Sequence, residues 1–141
     1  MWKERYKIGV PKIDQQHREL FKRAEKFITT VRNDKDLEEK ITEIEKTLNF
    51  MGEYVNVHFD DEEILQQEID YPAHEKHKQL HSDFKDYITE FKSEFEQDKR
   101  NEELIMEFSG RLMTWLINHV ANEDQQISEY LNQDNSEEDL R

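Results

Sequence analysis

The sequence contains no cysteine. Disulfides, thiolate nucleophiles and cysteine-ligated zinc or iron–sulfur sites are therefore excluded. The absence suits the reducing cytoplasm, which is the expected location. Only three glycines and two prolines punctuate the 141 residues, too few breakers for a fold of many strands and turns. No apolar run approaches the ~20 residues that a membrane-spanning helix needs. The opening Met1-Trp2-Lys3-Glu4-Arg5 lacks the apolar core of a secretion signal. No membrane partner is expected. Basic residues are outnumbered, 20 against 34 acidic ones, for a net charge of −14. That balance argues against binding nucleic acid through its phosphates.

What the sequence does contain is helical periodicity. Leu37, Ile41, Ile44, Leu48, Met51 and Val55 follow one another in steps of four and three, the seam of a long helix packed in a bundle. The next two seam positions are His58 and Glu62, and Leu65 resumes the apolar pattern. Residues four apart share a helix face. A buried histidine and glutamate cost free energy unless they are paired or hold a metal. The test is whether other helices also exchange apolar residues for ligands on their inner faces.

They do. Residues 1–13, with Trp2, Tyr6, Ile8, Val10 and Ile13 broken by Gly9 and Pro11, read as an extended arm packed on the bundle. Asp14 is the expected N-cap of a first helix reaching about Val31. Its apolar stripe includes His17 beside Leu20 and Phe21. Asn33, Asp34 and Asp36 form a polar turn that caps the second helix, which runs to about Gln67 and ends before Tyr71-Pro72. Pro72 suits the first turn of a third helix, whose seam is His77, His81, Phe84, Ile88, Phe91 and Phe95. The fourth helix carries Ile105, Phe108, Leu112, Trp115 and His119, and Asp124 follows five residues later. Five residues place a side chain about 140° off the starting face of an ideal helix. For His119 and Asp124 to meet, the helix must end or widen there. Tyr130 and Leu131 dock a short C-terminal segment, and residues 132–141 are expected to be a disordered acidic tail.

The expected fold is all-α: an up-down-up-down four-helix bundle with an extended N-terminal arm, occupying residues 1–131 as one domain. In that topology His17, His58, Glu62, His77, His81, His119 and Asp124 all fall at the same end. Singly, each has a bland reading, since a lone histidine on an apolar face is more often a satisfied core residue. Five of the six histidines on core seams at one level point instead to a metal site of imidazole and carboxylate donors. His74 is expected at the surface, and Asp60, Asp61 and Glu63 on solvated faces.

The pieces Gly9-Val10, Ile13-Asp14-x-Gln16-His17-x-x-Leu20-Phe21, His58-x-x-x-Glu62, His77-x-x-x-His81 and His119-x-x-x-x-Asp124 resemble the hemerythrin family in its single-domain bacterial form. The resemblance extends from Trp2 to about Leu131. It implies a non-haem di-iron centre with an oxo or hydroxo bridge. His77, His81 and His119 would hold one iron, His17 and His58 the other, and Glu62 and Asp124 would bridge them. Five imidazoles, two bridging carboxylates and the shared oxygen then leave one position of a six-coordinate pair open, on the two-histidine side. A small diatomic ligand fits there. Leu20, Phe59, Trp115, Leu116 and Val120 are the expected walls of the oxygen pocket.

The leading expectation is reversible dioxygen binding for carriage, storage or delivery, without enzymatic turnover. Small anions such as azide would compete for the open position. The alternatives are a peroxide or nitric oxide reductase fed by an electron donor, and the oxygen-sensing domain of a signalling protein. An oxygen-consuming partner or an electron donor is expected in the cell.

Overall fold

The computed structural model describes residues 2–33 and 36–139, with the side chains of 134–139 outside that description. Asp34, assigned to the first polar turn, and Leu140 and Arg141 of the tail also lie outside the described residues. Four long helices form the body: α1 (Pro11–Arg32), α2 (Leu37–Glu68), α3 (His74–Gln97) and α4 (Glu102–Asn118). α1 packs beside α2 and α4, and α3 closes the bundle by contacting both α2 and α4. The described residues contain no strand. None of their helices is long and apolar enough to cross a membrane.

The seams behave as their spacing requires. Ile41, Ile44, Leu48, Met51 and Val55 of α2 are buried against Phe84, Ile88, Phe91 and Phe95 of α3 and Ile105, Phe108 and Leu112 of α4. Phe91 and Phe108 stack at 3.8 Å, and Phe27 meets Phe108 edge-on at 5.7 Å. Offset and edge-on pairs are the arrangements that the ring quadrupoles favour. α4 is capped by Asn101, whose side chain accepts from the Leu104 N–H at 3.1 Å.

Two local expectations need correction. The first helix begins at Pro11, not after Asp14. Proline is favoured at the first helical position, where its missing N–H goes unneeded. Asp14 therefore lies inside the first turn, and its carboxylate accepts from the N–H groups of Ile8 and Gly9 at 2.8 and 3.2 Å. It pins the arm, which contains a short 3-10 turn at Glu4–Tyr6. The third helix begins at His74, with Pro72 in the preceding turn. α2 ends in a left-handed cap: Asp70 has φ of 53°, the Asp70 N–H reaches the Gln67 carbonyl, and the Tyr71 N–H reaches the Gln66 carbonyl. This paired closure satisfies carbonyls that the helix end leaves free. α5 runs Asp124–Asp139.

α4 and α5 are joined by a π turn at His119–Glu123, in which the Asp124 N–H bonds the His119 carbonyl. One extra residue per turn resolves the five-residue spacing, because a π turn closes from i to i+5. A second, smaller apolar cluster of Ile8, Ile13, Tyr71 and Ile127 closes that end of the bundle.

Candidate metal centre

All seven sequence-predicted ligands meet at one level, between the main core and the smaller cluster. Each is almost wholly buried, with 3% exposure or less. α1 brings His17, α2 brings His58 and Glu62, and α3 brings His77 and His81. The π turn carries His119 at its start and delivers Asp124 at its end.

The carboxylates divide the histidines into two groups. Glu62 Oε1 lies 2.6 Å from His77 Nε2, 3.5 Å from His81 Nε2 and 3.7 Å from His119 Nε2. Glu62 Oε2 lies 3.1 Å from His58 Nε2 and 3.5 Å from His17 Nε2. Asp124 repeats the division, with Oδ1 2.9 Å from His77 and 3.3 Å from His119, and Oδ2 3.0 Å from His17. Glu62 thus offers one oxygen to three histidines and Asp124 one oxygen to two of the same three, and each offers its other oxygen to the remaining side. The Nε2 atoms of His77 and His81 each lie 3.1 Å from that of His119.

Most of these approaches lack hydrogen-bond angles. His17 Nδ1 and Nε2 and both oxygens of Glu62 and Asp124 are buried without a hydrogen-bond partner. Native interiors rarely leave so many polar atoms unsatisfied in one place. Two sets of donors, Glu62 with His77, His81 and His119, and Glu62 with His17 and His58, are each gathered closely enough to hold a metal ion. Imidazole nitrogen and carboxylate oxygen suit first-row transition metals. The residues therefore fit a pair of such ions.

Protonation follows the same geometry. Burial disfavours the charged form of His17, but the adjoining Asp124 and Glu62 carboxylates outweigh it and raise its pKa to about 9. His77 is raised to about 10 against the same burial by the same two carboxylates. Burial wins at His58, whose pKa is lowered. Burial would raise Glu62, but its surrounding partners hold it well below the usual carboxylate range. A cation entering the site must displace protons from His17 and His77.

Outer contacts fix the ring orientations. His58 Nδ1 lies 2.8 Å from Gln16 Oε1, and the Gln16 amide donates to Asp61 at 2.7 Å. Lys12 reaches Asp61 at 3.3 Å. His81 Nδ1 lies 3.1 Å from Glu63. Asp61 and Glu63 were expected on solvated faces, and this is a correction: both flank Glu62 and are half-buried, Glu63 reaches His81 of α3, and Asp61 reaches His58 only through Gln16 of α1. Asp60 is exposed as expected. His74, expected at the surface, is half-buried and hydrogen-bonds Gln66. The available signal was adjacency to a ligand, which does not by itself tell a supporting residue from a solvated one.

Of the expected pocket walls, Leu20, Phe59, Leu116 and Val120 are buried in the main core. Trp115 is half-buried against it. Phe59 stacks on His81 at 3.8 Å and Trp115 on His119 at 4.4 Å. These two rings therefore cover the three-histidine side.

Comparison with known proteins agrees with this arrangement. The Hemerythrin HHE cation binding domain matches residues 8–131. The chain is 30% identical to a bacteriohemerythrin of Clostridium acetobutylicum over 89% of its length and 96% of that protein. It is 30% identical to a bacteriohemerythrin of Stenotrophomonas maltophilia, covering 94% and 84% of the two chains. It is also 27% identical to a myohemerythrin of Theromyzon tessulatum, covering 87% and 86%. Matching the family domain across nearly the whole bundle, with every motif histidine and carboxylate at one buried level, the chain belongs to the hemerythrin family.

Proposed function

We propose that the chain binds dioxygen reversibly at a non-haem di-iron centre and works as a carrier, store or delivery module rather than as an enzyme. The observation that carries this reading is the straddling of two histidine groups by Glu62 and Asp124, each with one oxygen on either side. In this reading His77, His81 and His119 hold one iron, His17 and His58 hold the other, and the two carboxylates bridge. The iron pair, when bound, supplies the electrons that make dioxygen a ligand.

The chain's own residues do the rest. Gln16 and Glu63 engage Nδ1 of His58 and His81 and so turn Nε2 of each toward the centre. The stacked rings of Phe59 and Trp115 restrain His81 and His119. Leu20, Leu116 and Val120 present only hydrocarbon, which keeps water and anions away because a dry wall cannot solvate a departing ion. Five neutral imidazoles stabilise high-valent iron less than a carboxylate-rich set does, which favours reversible binding over cleavage of the oxygen bond. The cysteine-free sequence suits the cytoplasm.

The test is optical. Reduced, iron-loaded protein should gain a visible band in air and lose it again when oxygen is removed, through several cycles, with azide competing. A band that never reverses, with turnover of peroxide or nitric oxide instead, would overturn the proposal.

A further inference from the structure

At the metal-centre end, several polar side chains serve to hold backbone. Asp14 binds the N–H groups of Ile8 and Gly9. The Gln125 amide donates to the Tyr6 carbonyl at 2.7 Å, and the Tyr130 hydroxyl donates to the Ile69 carbonyl at 3.2 Å. Gln66 departs from this pattern. It is fully buried at 0% exposure and stands on α2 one turn beyond Glu62. Its Nε2 has no hydrogen-bond partner. Its Oε1 lies 3.0 Å from Nδ1 of the half-buried His74, one turn before His77 on α3.

An amide donor sealed without an acceptor is unfavourable. Glu62, one turn away, has two carboxylate oxygens also without hydrogen-bond partners. Side chains four residues apart on a helix share a face, so one water can join the Gln66 amide to the Glu62 carboxylate. We propose that Gln66 Nε2 holds a buried water against the Glu62 carboxylate, and that the Gln66–His74 pair is the port through which solvent reaches the metal centre. Gln66 Oε1 can only accept, so His74 Nδ1 donates to it. Rotation of the His74 ring breaks one hydrogen bond and uncovers the Gln66 amide. Phe59 and Trp115, by contrast, lie flat on His81 and His119.

The consequence for oxygen chemistry rests on the function proposed above, but the water site does not. In the metal-free chain, the Gln66 side-chain amide protons should show a nuclear Overhauser contact to a long-lived water. His74→Phe should lengthen that water's residence time severalfold, read by oxygen-17 relaxation dispersion. In the iron-loaded protein, His74→Phe and Gln66→Met should each slow autoxidation severalfold at unchanged iron content. A Gln66 amide without a water contact overturns the inference. So does an unchanged water residence time in His74→Phe, whether or not iron binds oxygen. If the water is present and slowed while the chain takes up no iron, the port stands and the function proposed above fails.

Discussion

The two ends of the bundle obey opposite rules on the same helices. Far from the metal centre, the seams hold Phe27, Phe91, Phe95 and Phe108, all buried and packed ring on ring. At the other end the same seams hold His17, His58, Glu62, His77, His81, His119 and Asp124. Among the described residues, the buried side-chain atoms without hydrogen-bond partners lie on His17, Glu62, Gln66 and Asp124, with Trp2 Nε1 the one other. The aromatic end buries ring against ring, while the site end buries polar atoms that lack hydrogen-bond partners. Local rule-breaking of this kind is expected where a chain serves function rather than stability.

The largest effect should come from removing a bridge. Glu62→Ala takes away a carboxylate that faces both histidine groups, so iron bound per folded chain should fall by half or more. Elemental analysis checks this, and full iron content in the variant would show that Glu62 is not a bridge.

Removing metal from the parent comes next. Metal binds only the folded site, so the loaded chain should melt higher by on the order of 10 °C or more. The gap should widen with pH. His17 and His77 have pKa values raised from 6.5 to about 9 and about 10, so their ion pairs stabilise the metal-free fold fully below pH 6.5. That contribution is lost as pH rises through about 9–10. The metal-free melting temperature should therefore fall between pH 7 and 10, while the loaded one, with its imidazoles neutral, should hold. Superimposable melts of the two forms would contradict the contrast between the ends.

Phe108→Ala tests the aromatic end. A cavity there should cost about 3–5 kcal/mol, measured by denaturant unfolding, while iron per folded chain stays unchanged. Loss of iron in proportion to stability would mean that the ends are not separable. Leu116→Asn should leave iron content and fold intact but speed autoxidation severalfold, because it places an amide in a wall of the oxygen pocket. An unchanged rate would make Leu116 a packing residue only. The smallest effect should be at Asp70. Its φ of 53° penalises an L side chain, so Asp70→Gly should raise stability by about 1 kcal/mol.

The helices and the seven candidate ligands were legible because both obey a period. Burial every three or four residues writes itself into composition, and His58, Glu62, His77 and His81 occupy positions that would otherwise be apolar. Even the π turn was foreshadowed, since His119 and Asp124 cannot share a face of an ideal helix. Contacts set by reach rather than period were not legible. Glu63 adjoins Glu62 in sequence, yet its length carries it to His81. Asp61 touches the centre only through Gln16. The starts of α1 and α3 shifted because Pro11 opens a helix while Pro72 follows a left-handed cap at Asp70 that no hydropathy pattern encodes.

The central claim is that Glu62 and Asp124 straddle a pair of metals rather than close on one. Anaerobic titration of the metal-free chain with ferrous iron, followed by removal of unbound metal and counting of iron per chain, tests it most directly. The account predicts saturation at about two irons per chain, with Glu62→Ala falling well short. Saturation of the parent at one iron would contradict it.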